Sequence, residues 1–76
     1  MENIKNITFA VLEEMTPDKI FKGIELWKAV HEKSSKIMYP ATVLHYARDW
    51  RDLPDNPYDL VNIDRQKSTY IKRLKV

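Results

Sequence analysis

The sequence predicts a small α+β domain, three helices followed by a C-terminal β-hairpin, and three observations carry the prediction. Apolar residues recur at helical spacing as far as Trp50. The segment Leu53-Pro54-Asp55-Asn56-Pro57, two prolines and two turn formers in five residues, then stops the helical pattern. Beyond it the chain is rich in β-branched and aromatic residues and the helical period is lost. A chain of 76 residues has room for one hydrophobic core, so residues 1–76 are expected to form a single domain. Trp27, Trp50, Phe9, Phe21 and well-spread Ile, Leu and Val supply the large side chains such a domain needs.

The first helix is expected from Ile4, Ile7, Val11, Leu12 and Met15, with Asn3 or Asn6 as its cap. Partial alternation in Ile7-Thr8-Phe9-Ala10-Val11 leaves a short strand as the alternative. Residues 17–33 admit two readings. In one, Thr16 caps a continuous helix opened by Pro17, with Ile20, Ile24, Trp27 and Val30 on one face. Gly23 opposes it, because a glycine inside a helix costs about 1 kcal/mol relative to alanine. In the other, which we favour, Lys19-Ile20-Phe21 is a short extended piece and Gly23 opens a helix carrying Leu26, Trp27, Ala29 and Val30. The third helix starts near Tyr39-Pro40, with proline in its first turn. Val43, Ala47 and Trp50, at i, i+4 and i+7, face the core and leave Thr42, His45, Tyr46, Arg48 and Asp49 wholly or partly outside that stripe. Residues 58–63 and 69–74 read as the strands of the hairpin, around the polar Asp64-Arg65-Gln66-Lys67-Ser68. The Asn-Gly or Asp-Gly pair of a two-residue hairpin is missing there.

Composition excludes several function classes. The chain has no cysteine, so it forms no disulfide framework, thiolate zinc site or cysteine nucleophile, and it suits a reducing compartment. The N-terminal residues carry no leader-like apolar run, and no window approaches the roughly 18 apolar residues of a spanning helix. A soluble cytoplasmic protein without a membrane partner is therefore expected. No glycine-rich phosphate cradle exists, since the chain has one glycine. His31 and His45 have no metal-site spacing, and the adjacent Glu13 and Glu14 point in different directions on a helix. Trp27 and Trp50 sit at helical positions that suit core packing rather than ligand stacking. We expect no enzyme activity, no metal and no cofactor.

Charge is more informative in its distribution than in its sum. The net charge is +2, but residues 1–32 carry −2, 33–51 carry +3, 52–64 carry −4 and 65–76 carry +5. Basic blocks of this kind either track phosphates or simply keep a small domain in solution.

The order helix, short strand, helix, turn, helix, strand, strand resembles the winged helix-turn-helix family. The local matches are Phe21-Lys22-Gly23-Ile24-Glu25-Leu26-Trp27, similar to the short strand running into helix two, and Tyr39-Pro40-Ala41-Thr42-Val43, similar to the start of a recognition helix. Lys22-Gly23 departs from the Thr or Ser that usually caps helix two, and the link from Leu53 to Pro57 is longer than the family's. The resemblance implies a DNA-binding domain whose third helix enters a groove while the wing, Asp64 to Ser68, lies beside it. Under it, Tyr39, Thr42, His45, Tyr46 and Arg48 would offer base-edge and phosphate contacts. Arg65, Gln66 and Lys67 would serve at the wing tip, and Lys36 would clamp backbone before the third helix. Asp49 and Asp52 oppose phosphate at the far end of that helix, so its first turns would approach the groove. The same residues also read as a solvated surface. A DNA-binding transcriptional regulator, better served as a homodimer than alone, is the leading expectation. A winged-helix module that binds a protein partner instead is the rival, favoured by the acidic block from Asp52 to Asp64.

Overall fold

Asn3 starts the first helix. In extended backbone its side chain accepts the Asn6 N–H at 3.3 Å, which satisfies one donor of the opening turn. The computed structural model describes residues 3–76. It runs α1 (Ile4–Glu14), β1 (Ile20–Lys22), α2 (Gly23–Lys33), α3 (Pro40–Arg51), β2 (Tyr58–Asp64) and β3 (Thr69–Leu74). The expected α+β class and element order hold, and the topology is consistent with a winged helix. Ile7–Val11 is helical, so the short-strand alternative for that segment does not form.

Residues 17–33 form a strand followed by a helix. The chain turns at Pro17 and Asp18, where Asp18 takes φ 67° and donates its N–H to the Lys72 carbonyl at 2.6 Å. Lys22, not Gly23, is the N-cap, and the Glu25 carboxylate accepts its N–H at 3.2 Å. Gly23 is the first helical residue, and its backbone conformation does not require a glycine. The reason lies in the neighbours. A Cβ there would stand 3.2 Å from Leu44 Cδ2 and 3.7 Å from Ser68 Cβ, and the Gly23 N–H donates to the Ser68 carbonyl at 2.8 Å. The single glycine lets α2 begin hard against α3 and the hairpin turn.

The three strands form one antiparallel sheet in the order β1-β3-β2. Phe21 faces Tyr70 across β1 and β3, with rings stacked 5.8 Å apart, and Tyr70 faces Asn62 on β2. The hairpin pairs Tyr58 with Leu74 at one end and Asp64 with Thr69 at the other, with an irregularity between Asn62 and Asp64. Its turn spans four residues rather than two. Asp64 Oδ1 accepts the Lys67 N–H at 3.2 Å, and Ser68 takes the left-handed position at φ 47° that an Asn-Gly pair would otherwise serve.

The core forms where the helices meet the inner face of the sheet. Leu12, Leu26, Val30, Val43 and Trp50 are fully buried, with Phe21 and Leu60 contributed by the sheet. Trp27 is half-buried against this cluster, and its indole N–H donates to the Met38 carbonyl at 2.9 Å, fixing the turn between α2 and α3. Asn56 ties down the proline-rich loop by donating to the Trp50 carbonyl at 2.8 Å and accepting the Tyr58 N–H at 3.1 Å.

One core position is charged. Strand alternation puts Lys72 on the face opposite Arg73, and that face is the interior: Lys72 is 1% exposed. Its Nζ donates to the carbonyls of Leu12 at 2.8 Å, Glu13 at 3.3 Å and Met15 at 2.8 Å. These are carbonyls that the last turn of α1 leaves without partners. The chain leaves α1 through an extended Met15, with no glycine to close the end, and an ammonium from the last strand closes it instead. The Tyr58 and Trp50 rings lie 4.5 and 5.7 Å from Nζ, so π faces complete its surroundings. Three acceptors match the three protons of an ammonium, whereas a neutral amine would turn a lone pair toward a carbonyl. Burial nevertheless pushes the Lys72 pKa down, with the Glu13 carboxylate pulling the other way.

Candidate nucleic-acid interface

Successive residues of a helix are about 100° apart, and this spacing sorts the surface of α3. Val43, Ala47 and Trp50 point into the core. Leu44, Arg48 and Arg51 fall on the flank that faces the hairpin, where all three line one groove. Thr42, Tyr46 and Asp49 fall on the other flank, and Ala41 and His45 lie along the crest between them.

The groove encloses about 670 Å³ between α3 and the inner face of the hairpin. Arg65 reaches it from the wing turn, with Asn62 and Ser68 along the hairpin side and Tyr70 among its walls. No carboxylate lines it. Arg51 Nε contacts Asp52 Oδ1 at 3.1 Å, while Arg48 and Arg65 have no ion-pair partner among the described residues. Three guanidinium groups around one concavity make it attractive to anions, more so than their separate exposure to water would.

The residues singled out from the sequence divide accordingly. Arg48 and Arg65 meet in the groove. Gln66 and Lys67 are exposed on the wing turn, outside the groove walls. Lys36 and Tyr39 lie in the connection between α2 and α3, where Tyr39 is 76% exposed and its neighbour Ile37 is 91% exposed. Thr42 is exposed on the far flank of α3, and Tyr46 beside it is half-buried. His45 is exposed, with its ring 5.8 Å from that of Tyr46 and its Nε2 4.0 Å from Asp49 Oδ2. A carboxylate therefore stands next to the crest of the helix. Sequence reasoning missed Arg51, Asn62, Ser68 and Tyr70. The spacing Leu44, Arg48, Arg51 at i, i+4 and i+7 is the signal that would have found Arg51, since it marks a second stripe beside the core stripe.

Among the described residues, no group of three His, Cys, Asp or Glu side chains is placed to hold a metal ion. No described helix is long and apolar enough to cross a membrane. No protein-family model, curated protein or solved structure matches the chain.

Proposed function

We propose that this chain is a non-enzymatic winged-helix protein that binds DNA through α3 and the hairpin, in the manner of a cytoplasmic transcriptional regulator. One observation carries the reading: Arg48 from α3 and Arg65 from the wing turn converge on a single groove that holds no acid. Helix and wing then address the same ligand, the exposed Lys67 extends the basic edge beyond it, and the exposed Gln66 adds an amide there. The element order supports the reading independently. A small single module gains affinity and site definition by pairing, so we propose that the protein acts as a homodimer on its target.

A specific observation favours one other reading. Ile37 and Tyr39 are strongly exposed in the connection before α3, and Asp49 stands beside His45 on the helix surface. Exposed apolar side chains before the helix and a carboxylate on its surface suit a protein partner better than a phosphate backbone.

Fluorescence anisotropy with random-sequence duplex DNA across a salt series separates the two. Binding that weakens with salt is expected, and removing both groove arginines in Arg48→Ala/Arg65→Ala should make the log–log slope shallower by about 1.8, at about 0.9 per phosphate contact. Absence of binding at low salt would overturn the DNA reading and leave the protein partner.

A further inference from the structure

We infer that the groove between α3 and the hairpin is a seat for one unpaired nucleotide, with the phosphate held by the arginine rim and the base against the aromatic floor. The inference rests on the nucleic-acid reading above and names what that groove takes.

The walls have two kinds of chemistry. Arg48 and Arg65 supply positive charge without an ion-pair partner among the described residues, Arg51 adds a guanidinium paired with Asp52, and no carboxylate lines the groove itself. Below this rim lie Tyr70, Leu44 and Ala47, with Tyr70 half-buried and stacked on Phe21 at 5.8 Å. A site for phosphate alone has no use for an apolar and aromatic floor. A base pair inside a duplex has its faces covered by its neighbours and cannot enter a concavity. An unpaired nucleotide presents both a π face and a phosphate, which is the combination that aromatic walls with cationic rims bind. The exposed Asn62 and the half-buried Ser68 also line the groove and supply an amide and a hydroxyl for the polar edge of a base or for the sugar. The volume of about 670 Å³ lies in the range of small-ligand sites and accommodates one nucleotide rather than a duplex.

The ligand's chemistry has two sources, a free nucleotide or an unpaired residue within a strand. The test is a set of ¹H–¹⁵N and aromatic ¹H–¹³C titrations of the whole chain. The probes are deoxyadenosine and thymidine 5′-monophosphates, inorganic phosphate, a single-stranded oligothymidylate, and a blunt duplex. The expected result is that the monophosphates and the oligothymidylate move the Leu44, Asn62 and Ser68 amides and the Tyr70 ring, and that inorganic phosphate leaves the ring unmoved. Arg48→Gln and Arg65→Gln should each weaken binding at least about tenfold, the factor that one charge-assisted hydrogen bond carries. Lys28→Gln, an exposed lysine on α2 away from the groove, should leave it unchanged. Oligothymidylate binding tighter than the monophosphates assigns the seat to a strand, and equal binding assigns it to a free nucleotide. Duplex binding with no groove response to any single nucleotide or single strand would overturn this inference and leave the DNA reading standing. Identical ring shifts with phosphate alone would also overturn it. No response to duplex, strand or nucleotide would overturn both.

Discussion

Replacing Lys72 by methionine removes the ammonium that closes α1 while keeping most of the aliphatic volume, so little of the effect comes from a cavity. The magnitude follows from the bonds. The two 2.8 Å bonds to Leu12 and Met15 are charge-assisted and contribute about 1.5–3 kcal/mol each, with less from the 3.3 Å bond to Glu13. Losing them also leaves carbonyls at a helix end without a donor. Relief of the cost of burying a charge offsets part of this, because an ion in the interior loses its hydration. We expect a net loss of about 3 kcal/mol at neutral pH, which lowers Tm by about 12–24 °C in a domain of this size. Urea and thermal unfolding followed by far-UV circular dichroism measure it. A Lys72→Met protein as stable as the wild type would refute the reasoning, since the helix end would then need no cation.

The same pair tests the charge itself. Burial lowers the Lys72 pKa in the folded chain below its ordinary value of 10.5. Between that lowered pKa and 10.5 the unfolded chain binds more protons, so stability rises with pH across this window. What is gained is relief of the cost of burying the charge, which is fully present above 10.5 and is lost as pH falls through the folded pKa. The margin of wild type over Lys72→Met should therefore be flat below the window and widen toward its upper edge. A margin that narrows on raising the pH would contradict the lowered pKa.

Two further substitutions probe close contacts. Gly23→Val adds a branched side chain where a Cβ alone would stand 3.2 Å from Leu44 Cδ2, and should destabilise by about 1–3 kcal/mol through overpacking, read from the urea midpoint. Trp27→Phe removes the donor to the Met38 carbonyl and should cost about 1–2 kcal/mol, with faster amide exchange in the connection between α2 and α3 than elsewhere.

The helices were legible because their signals are local. Proline at the start of α3 and the Val43, Ala47, Trp50 spacing lie within one element, and both describe what formed. The strand at Ile20–Lys22 was legible only through Gly23, and for a reason only partly right: Lys22 takes the cap, and the glycine answers to Leu44 and Ser68. What stayed illegible depends on partners distant in the chain. Lys72 reads as one of several C-terminal bases, and alternation alone separates it from Arg73. Its partners are 57 to 60 residues away, so nothing near it announces a buried cation. The groove is similar. Arg48 and Arg65 were both singled out, but Arg51, Asn62 and Tyr70 belong to the site only once the hairpin folds against α3 through β2.

The bonds from Lys72 to residues 12, 13 and 15 close a loop across most of the chain, and the bond from Asp18 to the Lys72 carbonyl closes a second one nearby. Each must be formed against the entropy of joining distant segments, so neither end gains until both are in place. The N-terminal helix is thus not an independent folding unit, although its contacts within the helix are all local. Its last turn is completed by a strand 57 to 60 residues further along the chain. Opening of that turn and fraying of β3 become one event, which makes α1 and β3 a single cooperative unit in folding and in protection from proteolysis.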